Sequence, residues 1–107
     1  MKILIINGAN LNLLGQRQPE IYGSESFEDI LGALRNRYSE HTLDYYQSNI
    51  EGEIVDELQR ADGRYDGVVL NAGGYTHTSV VIRDAIASIR VPVVEVHLSS
   101  ILAREEF

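Results

Sequence analysis

Side chains able to hold polar groups or move protons gather where apolar runs end. Asn7 and Asn10 follow the run Ile3 to Ile6, Asn71-Ala72-Gly73-Gly74-Tyr75-Thr76-His77 follows Gly67 to Leu70, and Glu95-Val96-His97-Leu98-Ser99 closes the run from Val91. Imidazole titrates near neutrality and can give or take a proton, while carboxamides orient polar atoms without bringing charge. Taken singly, most of these residues have ordinary explanations. Asn7-Gly8 and Gly73-Gly74 are turn chemistry, His97 alone at a strand end is more often structural, and Ser26 suits a helix cap. Tyr38, Tyr45, Tyr46 and Tyr65 read as core or surface aromatics. Their recurrence at several strand exits argues for one shared crevice.

Several site chemistries lack the residues they need. There is no G-x-G-x-x-G after the first run and no G-x-x-x-x-G-K-[ST], which removes dinucleotide and P-loop phosphate binding. A phosphorelay receiver requires acidic groups where Asn7 and Asn71 stand. Metal binding is poorly served, because His77 and His97 lie in different segments and Glu95 alternates to the opposite side of its strand from Val96. Lys2 is the sole lysine and opens the first run at its amino end, away from the polar exits, so it offers no Schiff-base amine. What remains is chemistry by neutral polar groups, histidine, tyrosine and arginine.

The elements that must position these residues follow from periodicity. Phe27, Ile30, Leu31, Leu34 and Tyr38 recur at helical spacing, with Ser26 as N-cap and Glu28 and Asp29 near the positive end of the dipole. Thr42 to Gln47 reads as a second strand; Ile50, Ile54, Val55 and Leu58 as a second helix; Gly67 to Leu70 as a third strand. Val81, Ile82, Ala85, Ile86 and Ile89 mark a third helix, and Val91 to His97 a fourth strand. Alternating strands and helices predict a parallel sheet with right-handed crossovers and both faces covered. The fold class is therefore α/β, a flavodoxin-like doubly wound sheet, with ligands expected beyond the carboxyl ends of the strands. Leu11 to Gly23 is too long for an ordinary βα turn and is a candidate lid.

With 107 residues and 44% hydrophobic content, the sequence can bury one core, so residues 1–107 are expected to form a single domain. A net charge of −7 leaves no basic patch for nucleic acid. The absence of cysteine excludes disulfides and thiolate chemistry and fits a reducing, cytoplasmic setting. No apolar run is long enough to span a membrane.

The segments Asn7-Gly8-Ala9-Asn10-Leu11-Asn12-Leu13-Leu14-Gly15, Arg17, Pro19-Glu20-Ile21-Tyr22-Gly23, Leu70 to Ser79, Glu95 to Ser99 and Ala103-Arg104-Glu105-Glu106-Phe107 together resemble type II dehydroquinases, in order and over the whole sequence. Ala9 stands where that family commonly has proline. The resemblance implies strand order 2-1-3-4, with the family's further arginine, fifth strand and last helix missing beyond Phe107, so that the sequence reads as C-terminally truncated.

The resemblance further implies dehydration of 3-dehydroquinate to 3-dehydroshikimate by anti elimination through an enolate, without metal or other cofactor. Tyr22 matches the base and Arg17 the cation that stabilises its phenolate. A phenol with an ordinary pKa near 10 is only about 0.1% ionised at pH 7, so the guanidinium has a chemical task. His97 matches the acid that protonates the leaving hydroxyl, Glu95 the group that orients it, and Asn10 the residue that positions a water at the enolate oxygen. Asn71, Gly73, Gly74, His77, Leu98, Ser99 and Arg104 match substrate-binding positions, with the Leu98 and Ser99 amides cradling the carboxylate. Asp84 matches an aspartate that reaches a neighbouring subunit, which implies trimers and a dodecamer of four trimers. Two other classes use the same loops: a non-catalytic module binding a small anion or flavin, which needs no ionisable tyrosine, and a serine hydrolase, which lacks its G-x-S-x-G elbow.

Overall fold

The computed structural model describes residues 1–13 and 26–97. In order, these form β1 (Lys2–Asn7), a single 3-10 turn (Leu11–Leu13), α1 (Phe27–Arg37), β2 (Thr42–Gln47), α2 (Glu51–Ala61), β3 (Gly67–Asn71), the one-turn α3 (Tyr75–Thr78), α4 (Val80–Ser88) and β4 (Val93–Glu95). The strands make one parallel sheet in the order β2-β1-β3-β4. Asn7 is in register with Gln47 on one side and Asn71 on the other, so three strands end in one row of carboxamides.

Because β1 and β3 are central, their side chains are needed on both faces of the sheet. Leu4, Ile6, Val68 and Leu70 point to one face and pack with Ile54, Leu58 and Ala61 of α2 and Ile82 and Ala85 of α4. Burial of Ile54 and Leu58 is complete, each worth roughly 1.5–3 kcal/mol relative to exposure. Ile5 points to the other face, where Phe27 and Leu31 of α1 cover it. Among the described residues α1 alone lies there, and an apolar cleft bounded by Ile3, Leu34, Leu43, Val69 and Val96 stays open beside it. Helices thus lie on both faces of the sheet, as expected, α2 and α4 on one and α1 on the other.

The capping expectation for α1 holds as a complete capping box. Ser26 Oγ accepts from Asp29 N–H and Asp29 Oδ2 accepts from Ser26 N–H, both at 3.2 Å. The edge strand β2 is blunted by Arg35, whose Nε and Nη2 both donate to the Leu43 carbonyl, at 3.0 and 2.6 Å.

Three local expectations change. Ile50 is the N-cap of α2 and 58% exposed, not a core position, because the turn before it is held by Ser48, whose Oγ accepts from Ile50 N–H. Val81 is 53% exposed because residues on a helix turn by about 100° each, and Ile82 takes the core direction. The fourth strand has three residues, not seven, although the ladder extends beyond it: Val68 N–H donates to Pro92 O and Val96 N–H to Leu70 O, each at 2.9 Å.

Candidate active site

Two backbone segments are pressed together at the exits of β1 and β3. Gly8 N–H donates to Asn71 O at 2.7 Å, and a Cβ on Gly8 would lie 2.3 Å from Ala72 O. On the opposite side of the same contact, a Cβ on Gly73 would lie 2.7 Å from Ala9 O, and Gly73 itself has φ +65°. Only glycine permits both the approach and that backbone conformation.

Asn71 is 4% exposed, and its Oδ1 accepts from Gly73 N–H at 3.1 Å in a local turn. The group it can present to a ligand is therefore its Nδ2 donor. Gly74 caps the α3 turn, on which His77 also lies, and Ser79 ends that turn while its Oγ accepts from Ile82 N–H at 3.0 Å to start α4.

Asn7 and Asn10, which follow the same apolar run, part company. Asn7 is 1% exposed and its Nδ2 donates to Tyr45 Oη at 3.3 Å, beneath the crevice. Tyr45 stacks on Phe27 with ring centroids 4.8 Å apart, and burial pushes its pKa up, opposed by the bond from Asn7 and reinforced by Glu28. Asn7 is thus a core-anchoring group, not a crevice residue. Asn10 is exposed and has φ 70°, the left-handed region that asparagine tolerates better than most residues.

The β2 exit contributes polar groups that the sequence reading left aside. Asn49 Oδ1 accepts from Asn10 N–H at 2.9 Å and from Gln47 Nε2 at 3.2 Å, while Gln47 Nε2 also donates to Gly8 O at 3.2 Å. Tyr75 Oη donates to Asn49 O at 2.8 Å. The signal was present: Gln47-Ser48-Asn49 is a polar run at the carboxyl end of a strand, the same position that marked the other exits.

Glu95 and His97 are exposed at the end of β4 and do not hydrogen-bond each other. Glu95 borders a shallow depression with Tyr75, Ser79 and Arg83, whereas Val96 borders the cleft on the α1 face, so their expected alternation is observed. Asp84 is exposed on α4, away from the interlocked exits in sequence and on the outer side of its helix from Ile82 and Ala85. Arg17, Tyr22, Leu98, Ser99 and Arg104 lie outside the described residues, as does most of the candidate lid.

A parallel sheet in this order, with carboxamides at its carboxyl ends and a histidine beyond the last strand, defines a flavodoxin-like α/β protein. Comparison with known proteins makes this specific. The family model for dehydroquinase class II matches residues 1–107. The 3-dehydroquinate dehydratase of Synechococcus sp. (strain CC9605) is 54% identical over 109 aligned positions, covering 100% of this chain and 75% of that protein. That of a Nitratiruptor species is 51% identical, with 100% and 70% covered. The crystal structure of the type II dehydroquinase from Butyrivibrio crossotus DSM 2876 superposes with a TM-score of 0.89 at 45% identity, covering 98% of this chain and 75% of that one. The chain belongs to the class II dehydroquinase family.

Proposed function

We propose that this protein is a hydro-lyase that converts 3-dehydroquinate to 3-dehydroshikimate, a step of the shikimate pathway, with the interlocked β1 and β3 exits as the floor of its active site. The observation that carries this reading is the joint one: a family match over residues 1–107, and direct backbone contact of Gly8 and Ala9, which lead into Asn10, with the Asn71 to Gly73 segment.

In the proposed reaction, the phenolate of Tyr22 takes the proton beside the ketone and the electron pair passes to the carbonyl oxygen as an enolate. Arg17 favours the ionised phenol. Asn10 holds a water against the enolate oxygen. Collapse of the enolate expels the hydroxyl, which takes a proton from His97 and leaves as water. Glu95, which makes no hydrogen bond to His97 in this structure, is proposed to orient the imidazole once substrate is bound. Asn71, Gly73, Gly74, His77 and Arg104 hold the substrate's polar groups, and the Leu98 and Ser99 amides hold its carboxylate. Closing the Leu11 to Gly23 segment would exclude water from this chemistry.

The assembly is proposed to be a trimer, four of which form a dodecamer, with the exposed Asp84 reaching a neighbouring site. No helix among the described residues is long and apolar enough to cross a membrane. Together with the cysteine-free sequence, that supports placing the reaction in the cytoplasm.

The test is pH-dependent turnover, read from the absorbance of the conjugated enone product. Tyr22→Phe keeps the ring and removes the base, so binding survives while turnover collapses. Arg17→Ala leaves a phenol nearer its ordinary pKa, so residual turnover climbs as pH approaches about 10. Near-normal turnover in Tyr22→Phe refutes the assignment of the base.

A further inference from the structure

We propose that Asn49 is a positioning residue for the dehydration, seconded by Gln47: its carboxamide oxygen holds the left-handed Asn10 backbone so that the Asn10 side chain faces the reacting oxygen. The inference rests on the reading of Asn10 as the residue that places a water at the enolate.

Both backbone groups of Asn10 are engaged. Its N–H donates to Asn49 Oδ1 at 2.9 Å and its carbonyl accepts from Leu13 N–H at 3.1 Å. The side chain is then the group left to meet a ligand. A φ of 70° is uncommon for a residue with a Cβ, so a fixed acceptor opposite the N–H is what makes that conformation persist. Asn49 is itself anchored from both sides. Ser48 N–H donates to Asn7 O at 3.1 Å and Ile50 N–H to Ser48 Oγ at 2.9 Å, which sets the backbone on either side of residue 49. Tyr75 Oη closes the frame by donating to Asn49 O at 2.8 Å. One exposed residue therefore joins the exits of β1, β2 and β3, and it meets the packed core only through the hydroxyl of Tyr75.

That placement separates positioning from stability. Asn10 and Asn49 are both exposed, so losing their hydrogen bond leaves the amide to water and costs the fold little. The geometry at the reacting atoms is far less forgiving. Substitution should lower kcat and leave KM in place, because a water at the enolate oxygen acts in the transition state rather than in substrate binding.

The experiment compares Asn49→Leu with Asn49→Asp in the whole protein, by steady-state kinetics, melting temperature and hydrogen exchange at the Asn10 amide. Asn49→Asp keeps an acceptor in the same place and is assayed at high ionic strength, where its charge is screened. In Asn49→Leu, kcat is expected to fall about tenfold with KM and melting temperature close to wild type, and the Asn10 amide to exchange faster. Asn49→Asp is expected to restore most of both readouts. Wild-type kcat in Asn49→Leu, or Asn49→Asp as impaired as Asn49→Leu, overturns the proposal. A wild-type protein without dehydratase activity overturns the functional reading instead, and unchanged Asn10 exchange in Asn49→Leu refutes the holding contact whatever the activity.

Discussion

Gly8→Ala adds one methyl group at the point where the β1 and β3 exits meet, and its consequence can be worked from the contact. The new Cβ would sit 2.3 Å from Ala72 O and 2.6 Å from Ala72 C, against an ordinary contact of 3.4 Å or more, so the two backbones must separate by about 1 Å. Both obstructing atoms are main chain at the end of a central strand, and no side-chain rotation relieves them. Overpacking of this kind costs about 1–3 kcal/mol, and disturbing the 2.7 Å bond from Gly8 N–H to Asn71 O adds about 1 kcal/mol. A loss of about 3 kcal/mol corresponds to a fall in melting temperature of roughly 12–24 °C for a domain of this size. Turnover at a temperature where the variant is still folded should fall as well, since the same displacement carries Asn10 away from Asn71. Gly52→Ala is the internal control: it makes the same chemical change within α2, where a Cβ meets nothing within 4 Å, and should stabilise by about 0.5–1 kcal/mol. The assay is thermal unfolding by circular dichroism, with turnover measured in parallel. If Gly8→Ala melts with wild type, or above Gly52→Ala, the interlocked exits are not what holds the crevice.

Two further outcomes follow from local geometry. Ser26→Ala removes one half of the α1 capping box and leaves the Asp29 amide without its acceptor, so stability should drop by about 1 kcal/mol, measured by denaturant unfolding with unchanged m-value. Tyr65 donates to Asp44 Oδ2 at 2.6 Å, and that bond, with burial and the nearby carboxylates, pushes its pKa up to about 12. Since the raised value favours the neutral phenol in the folded state, its contribution to stability is complete below pH 10 and is lost as pH rises from 10 through about 12. Spectrophotometric titration of tyrosinate should show, beside the raised Tyr45 and Tyr46, a group titrating at about 12 in wild type that moves down in Asp44→Asn; a titration indistinguishable between the two contradicts the assignment.

The sheet and its helices were legible because their signals are short in range. Thr42–Gln47 is the expected strand, Ser26 is the expected cap, and Ile54, Leu58, Ile82 and Ala85 are buried as their spacing requires. Errors fell where neighbours compete for one direction, as Val80, Val81 and Ile82 do at the start of α4, or where a turn displaces the first apolar residue, as at Ile50. The polar strand exits were legible as a set, but which of their side chains are buried and which are exposed was not. Asn7 and Asn10 are alike in type and three residues apart, yet one anchors Tyr45 beneath the crevice and the other turns outward.

Sequence by itself determined the alternation of strands and helices, the cap of α1, and the gathering of polar residues at the carboxyl ends of the strands. These rest on periodicity, capping and turn preferences that act within a few residues. Tertiary structure alone decided that Gly8 must pass within contact of Ala72, that Gln47, Asn7 and Asn71 share one row, and that Asn49 joins Asn10 to Tyr75. Asn10 and Tyr75 are 39 and 26 residues from Asn49 along the chain, and only the parallel crossovers of the sheet bring these strand exits side by side.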